Sequence, residues 1–115
     1  MNLASNINLF LGIQNQIRIN HWQTKSYAEH QALGATYDEF TGLIDEFIET
    51  FMGKYGRIIS ESSFNFKLEN YKNMAPQSLM IEIENYLINE LPTMLDVKKD
   101  TDLLNIRDEM LGSVN

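Results

Sequence analysis

Residues 21–49 read HWQTKSYAEHQALGATYDEFTGLIDEFIE, and they carry both histidines, the only tryptophan and an acidic pair, Asp45 and Glu49. Ser26 and Glu29 fit a capping box, in which the serine hydroxyl caps the glutamate amide and the glutamate carboxylate reaches back to the serine. A long helix is therefore predicted to begin directly after the serine. Such a helix places the two acids one turn apart.

The same helix is predicted to run to about Met52, because apolar residues recur at helical spacing up to that point and Gly53 and Gly56 punctuate the end. Helical patterns also occur in the rest of the chain. They cover residues 3–21, residues 76–91 before Pro92, and residues 101–114 after a cap at Asp100 or Thr101.

The pattern fails between residues 54 and 75, where serines and asparagines interrupt Phe64, Phe66 and Tyr71. This composition predicts a long packed connection, and its length permits a crossover between the second and third helices. The fold class predicted is all-α, a ferritin-like four-helix bundle with that crossover, in a single domain over residues 1–115. The last helix is predicted to be too short to cover its neighbours along their full length, which indicates either that the chain is a fragment or that a partner covers the gap.

Composition and charge limit the classes of partner and of metal site that the chain can have. The chain has 115 residues, nine basic and sixteen acidic side chains, a net charge of −7 and no cysteine. The negative charge disfavours nucleic-acid and membrane-surface partners, and the missing cysteines exclude disulfides and thiolate metal sites. The N-terminal residues have no basic region and no unbroken apolar run, so we expect a cytoplasmic protein without a signal peptide or membrane span.

The second helix has two separate faces. At about 100° per residue, His30, Asp45 and Glu49 fall within an arc of about 120°, and the apolar residues centre about 120° away. Two carboxylates one turn apart can bind one hard or borderline cation, and imidazole suits iron and other divalent transition metals. His30 lies roughly 22 Å from Asp45 along the helix, too far to share an ion in one chain.

Two copies of this helix, packed antiparallel about a two-fold axis, would bring the histidine of one chain opposite the acidic pair of the other. The midpoint of these ligands falls near Asp38. Gly34 and Gly42 are centred on the same residue, and small residues permit close approach of two backbones. The sequence therefore predicts at least a homodimer, with metal ligands from both chains.

These residues resemble the ferroxidase signature of the Dps family, the mini-ferritins that protect DNA during starvation, and short phage-encoded proteins of that type. The residues that carry the resemblance are His21, Trp22, Lys25, His30, Asp45 and Glu49. It implies iron, Fe(II) and Fe(III), as cofactor or cargo, a dimer or a dodecameric shell, and the host cytoplasm for a phage protein. The implied metal ligands and catalytic residues are His21, His30, Asp45 and Glu49, with the histidines from one subunit and the acids from the other.

Three departures from that family limit what the resemblance implies. Fewer residues separate His21 from His30 than is usual there, Thr50 stands where an arginine is common, and no basic tail is present. The DNA-binding role is therefore not carried over. Structural alternatives also stay open: His21 as a histidine bonded to a backbone carbonyl, the acids as a solvated face, Trp22 as a core or interface residue, and the whole chain as a non-catalytic structural or assembly protein.

Overall fold

The computed structural model describes residues 3–59 and 67–114, which contain four α-helices and no strand. Their bounds are α1 Leu3–Gln23, α2 Tyr27–Tyr55, α3 Pro76–Asn85 and α4 Thr101–Val114. The prediction of an all-helical, four-helix chain is confirmed. None of the helices in the described ranges is both long and apolar enough to cross a membrane.

The start of α2 follows the predicted serine cap. Ser26 has extended backbone, and its hydroxyl accepts a hydrogen bond from the Glu29 backbone N–H at 3.2 Å. The predicted return bond from Ser26 to the Glu29 carboxylate is wrong. That carboxylate accepts from the hydroxyls of Thr24 and Tyr71 instead. The Ser26 N–H donates to the Thr24 hydroxyl instead, so this backbone amide still has a hydrogen-bond partner.

The end of α2 lies later than the sequence pattern predicts. Gly53 continues the helix, and the helix stops at Tyr55 before Gly56, whose φ of 90° is disfavoured for other residues. The Gly56 N–H donates to the Met52 carbonyl at 2.8 Å, closing the last turn. With 29 residues, α2 is roughly 43 Å long.

The helix after Pro76 changes geometry before Pro92. It continues from α3 as a π-helical segment, Tyr86–Glu90, followed by a 3₁₀ turn, Leu91–Met94. Proline has no N–H and its ring clashes with the carbonyl four residues earlier, so regular α-helical bonding cannot continue through this point. The predicted disruption at Pro92 is present, but the regular α-helix ends at Asn85, six residues before the predicted end at residue 91.

The four helices pack in the cyclic order α1, α2, α4, α3. The Tyr55 hydroxyl bonds to Asp100, so α4 begins where α2 ends. At the opposite end, Asn20 donates to the Met74 carbonyl at 2.7 Å, so α3 begins where α1 ends. Each helix is therefore antiparallel to the two it packs against, and the segment between α2 and α3 joins opposite ends of the bundle.

The core is centred on Phe10 of α1, which packs edge-on against Phe47 and Tyr86 with ring centroids 5.6 and 5.8 Å apart. Aliphatic residues from all four helices complete it. Phe64 and Phe66, which the sequence places in a packed connection, lie outside the described residues.

Candidate metal centre

The antiparallel pair α1 and α2 brings the two histidines together near its turn. Along the pair, Gln14 donates to the Thr41 hydroxyl at 3.1 Å, and the Arg18 guanidinium lies 4.6 Å from the Tyr37 ring centroid. One turn further along α1, His21 reaches the first turns of α2. The short connection after α1 sets this register, because residues at similar distances from the turn face each other across two antiparallel helices.

The His21 and His30 rings are stacked, with centroids 3.8 Å apart and planes 16° from parallel. Nδ1 of His21 lies 2.7 Å from the His30 carbonyl oxygen, and Nδ1 of His30 lies 2.8 Å from the His21 carbonyl oxygen. A carbonyl has no proton to donate, so each Nδ1 must carry the hydrogen. In the neutral rings, the lone pair then lies on Nε2.

This arrangement leaves the same nitrogen, Nε2, available on both rings. Neither Nε2 has a hydrogen-bond partner within residues 3–59 and 67–114. Metal-binding histidines usually donate their other ring N–H to a carbonyl or carboxylate, which fixes the tautomer and the direction of the lone pair. The alternative for His21 was a core histidine bonded to a backbone carbonyl. The bond to the carbonyl is present, but His21 is not among the buried core residues, and the bond uses the nitrogen that a ligand role would leave free.

Gly34 has an explanation within one chain. A Cβ added at this position would lie 2.9 Å from Cε1 and 3.3 Å from Nδ1 of His21, so the histidine ring occupies the space beside this glycine. Gly42 is different, because nothing lies within 4 Å of a Cβ placed there. Of the two glycines, only Gly42 is left without a contact inside the described chain, and the helix crossing near Asp38 stays a prediction.

Asp45 and Glu49 are exposed on the outer side of α2, as the helical periodicity predicts. They border a groove of about 280 Å³ between α1 and α2. In the described part of the chain, neither acid makes a hydrogen bond or an ion pair. The apolar residues that line this groove are Ile7, Phe10, Leu11, Ile44, Ile48 and Met52.

A single chain does not assemble the predicted ligands. Among the described residues, no group of three histidine or acidic side chains is placed to hold one ion. The stacked histidines are not placed to chelate one ion either, because each lone pair lies in the plane of its ring. The two planes are 16° from parallel with centroids 3.8 Å apart, and a metal–imidazole bond is about 2.0–2.1 Å. Each imidazole can therefore give one bond to an ion of its own.

The surroundings of the histidines include residues that the sequence reasoning missed. Arg18 lies over both Tyr37 and Trp22, with 5.7 Å to the tryptophan ring. Trp22 is 66 % exposed, so the interpretation as a core residue is wrong. Arg18 and Trp22 are four residues apart in α1, and that spacing was a usable signal for a cation–aromatic contact.

A second polar cluster closes the other end of the bundle. The Asp100 side chain is 2 % exposed and accepts from Lys54 at 2.9 Å, from the Asp96 N–H at 2.7 Å and from the Tyr55 hydroxyl. Burial acts to raise the pKa of Asp100, but the Asp96 N–H, Tyr55 and Lys54 outweigh it and lower the pKa below its usual range. All of this carboxylate's partners belong to the chain, so it has a structural role.

Comparison with known proteins corrects the resemblance to Dps. The chain is similar to an uncharacterized 14.6 kDa protein from the mobD-ri intergenic region of enterobacteria phage T4, with 37 % identity over 51 residues. That match covers 44 % of this chain and 40 % of the phage protein. No Dps or ferritin-like family matches, and no solved structure matches. The expectation of Dps membership is therefore wrong.

The residues that suggested Dps are few, and histidines and acids on an amphipathic helix pair can arise on unrelated bundles. The shorter histidine spacing and Thr50 were signs of this difference. A different family covers most of the chain, from His21 to the last residue, and so includes both histidines and the whole of α2, α3 and α4. Over residues 21–115 the chain belongs to DUF5856, a family of unknown function.

Proposed function

We propose that the protein binds Fe(II), or another divalent transition metal, at a site shared between two copies of the chain, and that oxygen or peroxide oxidises the bound iron. His21 and His30 of one copy and Asp45 and Glu49 of the other are the proposed ligands. The observation that carries this proposal is the crossed pair of hydrogen bonds, which leaves both Nε2 atoms without a partner.

The donor set supports this class of metal. Two imidazole nitrogens and two carboxylates form a mixed site that suits iron, manganese and zinc better than magnesium or calcium, and no thiolate is available to select a soft ion. Because the stacked rings bind separate ions, the proposal is two ions for each set of ligands. The chain's own contribution is to hold the rings in one tautomer and to supply negative charge opposite them.

The helix order supports the same proposal. Four helices with antiparallel neighbours, and a connection between α2 and α3 that joins opposite ends, follow the order of ferritin-like bundles. We therefore propose a ferritin-like bundle that assembles at least as a two-fold dimer. Storage of oxidised iron would need a larger hollow assembly, because a dimer has no cavity, and a sedimentation measurement of mass distinguishes these forms.

The decisive experiment uses mixed dimers. His30→Ala and Asp45→Ala should each weaken anaerobic Fe(II) binding and lower the number of ions bound, because each variant damages both ligand sets of a dimer. A mixed dimer of the two variants should regain one intact site and leave the other doubly damaged. Glu39→Ala, which removes an exposed acid elsewhere on α2, is the matched control and should bind as the wild type does. No recovery in the mixed dimer would overturn the shared site.

Oxidation is tested separately. Fe(II) is added without oxygen, air or peroxide follows, and ferric absorbance is recorded against a protein-free sample. A faster rise that disappears in Asp45→Ala is the expected result. Binding without a faster rise would restrict the function to metal binding.

The second candidate is a non-catalytic structural or assembly protein. It is favoured by apolar side chains left exposed outside the bundle, among them Ile81 at 65 % and Ile88 at 54 %, because such residues often mark a contact with another protein. Absence of any Fe(II) binding, together with a stable oligomer in native mass spectrometry, would favour it over the metal site.

A further inference from the structure

We infer that Gly34 is a positioning residue for the histidine pair: its missing side chain provides the space in which the His21 ring lies, and this space keeps both imidazoles in their crossed hydrogen bonds. The evidence is the 2.9 Å that would separate a Cβ at residue 34 from Cε1 of His21. Carbon atoms in ordinary contact lie about 3.5–4.0 Å apart.

Two contacts would be disturbed if the His21 ring moved away from residue 34. Its Nδ1 is bonded to the His30 carbonyl oxygen at 2.7 Å, and one of its faces is covered by the His30 ring at 3.8 Å. A Cβ at residue 34 would also lie 3.3 Å from that same Nδ1. Moving the ring away from α2 therefore lengthens the hydrogen bond that fixes its tautomer.

Helix stability does not explain this glycine. Gly34 lies inside α2, where glycine is less favourable than alanine because it leaves the unfolded backbone more freedom. Gly53 lies in the same helix with nothing within 4 Å of an added Cβ. The two positions thus differ mainly in what an added methyl group would meet, which makes Gly53→Ala a matched control for Gly34→Ala.

The first measurement needs no metal. In the metal-free protein, ¹⁵N spectra of the neutral imidazoles should show a protonated Nδ1 and an unprotonated Nε2 in both rings. Gly34→Ala should change the His21 signals away from this pattern, and Gly53→Ala should leave them unchanged. A wild-type imidazole spectrum in Gly34→Ala would overturn the inference.

A double substitution keeps the test valid even when Gly34→Ala alone folds poorly. Without the imidazole at position 21, an added methyl group at position 34 meets nothing, and only the helix-favouring effect of alanine remains. Gly34→Ala should therefore raise Tm in a His21→Ala background, as Gly53→Ala does, although in the wild-type background it raises Tm less or lowers it. Equal Tm shifts in the two backgrounds would contradict a contact between residue 34 and the ring.

The consequence for metal binding rests on the proposed function. Loss of a group that orients a metal-binding histidine typically weakens affinity about 10- to 100-fold, so Gly34→Ala should bind Fe(II) at least about ten-fold more weakly than Gly53→Ala. If the wild type binds no Fe(II), the proposed function fails while the imidazole spectra still decide the role of Gly34. If Gly34→Ala changes the spectra but not the affinity, positioning of the rings for metal is refuted.

Discussion

The two ends of the bundle are closed by different chemistry. At the turn between α1 and α2, two stacked imidazoles each donate to the other's backbone carbonyl. At the far end, the buried carboxylate of Asp100 accepts from Lys54, Tyr55 and a backbone N–H, and so ties α2 to the start of α4. The hydrogen bonds between the histidines can form with neutral imidazoles, whereas the cluster around Asp100 depends on the charges of the carboxylate and the Lys54 ammonium.

This difference separates a structural site from a candidate ligand site. The Asp100 carboxylate is buried with all its partners from the chain, so an added ligand would have to displace them. Each imidazole at the turn uses one nitrogen for the fold and leaves the other without a partner in the part of the chain that the structure describes. Strong hydrogen bonding alone therefore does not distinguish the two sites; the unused acceptor on each imidazole is what makes the histidine pair a candidate ligand site.

The largest predicted effect is on the charged end. Asp100→Ala removes a buried acceptor and leaves Lys54 and the Asp96 N–H without it, so we expect a loss of roughly 3 kcal/mol in the free energy of unfolding. Urea denaturation at fixed protein concentration measures this loss, since assembly would otherwise change the apparent stability.

Asp102→Ala is the control, because Asp102 also pairs with Lys54 but its side chain is 51 % exposed. Only a small change is expected there, as for other exposed ion pairs. Similar losses for the two variants would mean that burial does not distinguish Asp100.

A smaller effect should appear on acidification. The folded pKa of Asp100 is lowered, so the carboxylate contributes its stabilisation above its unfolded pKa of about 3.9 and loses it as the pH falls through the folded value. Stability should therefore decline below about pH 4. Urea midpoints between pH 6 and pH 2.5 should fall less steeply in Asp100→Asn than in the wild type, and parallel curves would contradict the assignment.

The hydrogen-bonded cluster around Asp100 could not be predicted from the sequence. Asp100 was predicted only as a helix cap, since adjacent Asp and Thr residues before an apolar pattern are typical of that role. Its partners Lys54 and Tyr55 lie more than forty residues away in sequence. Only the antiparallel packing of α2 and α4 brings them together, and the sequence does not show which ends meet.

The histidine end was predictable in part. Helical periodicity placed His30, Asp45 and Glu49 on the outer side of α2, and the exposed positions of all three agree with it. The stack itself was not predicted, because it depends on the short turn after α1 and on the space beside Gly34. The family resemblance failed because a few ligand-type residues at helical spacing do not specify ancestry.

A modest effect is predicted for the cap beside the histidines. Ser26→Ala removes the hydroxyl that accepts from Glu29, at a cost of about 1 kcal/mol. His30 lies one turn later and bonds by its N–H to the Ser26 carbonyl, so fraying of this turn should also loosen the ring stack. Urea denaturation and hydrogen exchange of the His30 amide measure both changes; unchanged exchange would show that the cap does not support the stack.

The smallest predicted effect is the coupling between the two ends. His21→Ala should destabilise by about 1 kcal/mol through loss of its hydrogen bond, and this loss should be the same with Asp100 present or replaced by alanine. Substitutions more than about 7–10 Å apart without shared partners add to within about 0.3–0.5 kcal/mol, and the two closures lie at opposite ends of a bundle 43 Å in its longest dimension.

The four proteins of the cycle are compared by urea denaturation, with the imidazole spectra of Asp100→Ala recorded as a second readout. A coupling above about 1 kcal/mol, or a changed histidine tautomer in Asp100→Ala, would mean that α2 transmits the state of one end to the other. Additive losses with unchanged spectra would mean that the charged closure can be removed without disturbing the candidate metal ligands.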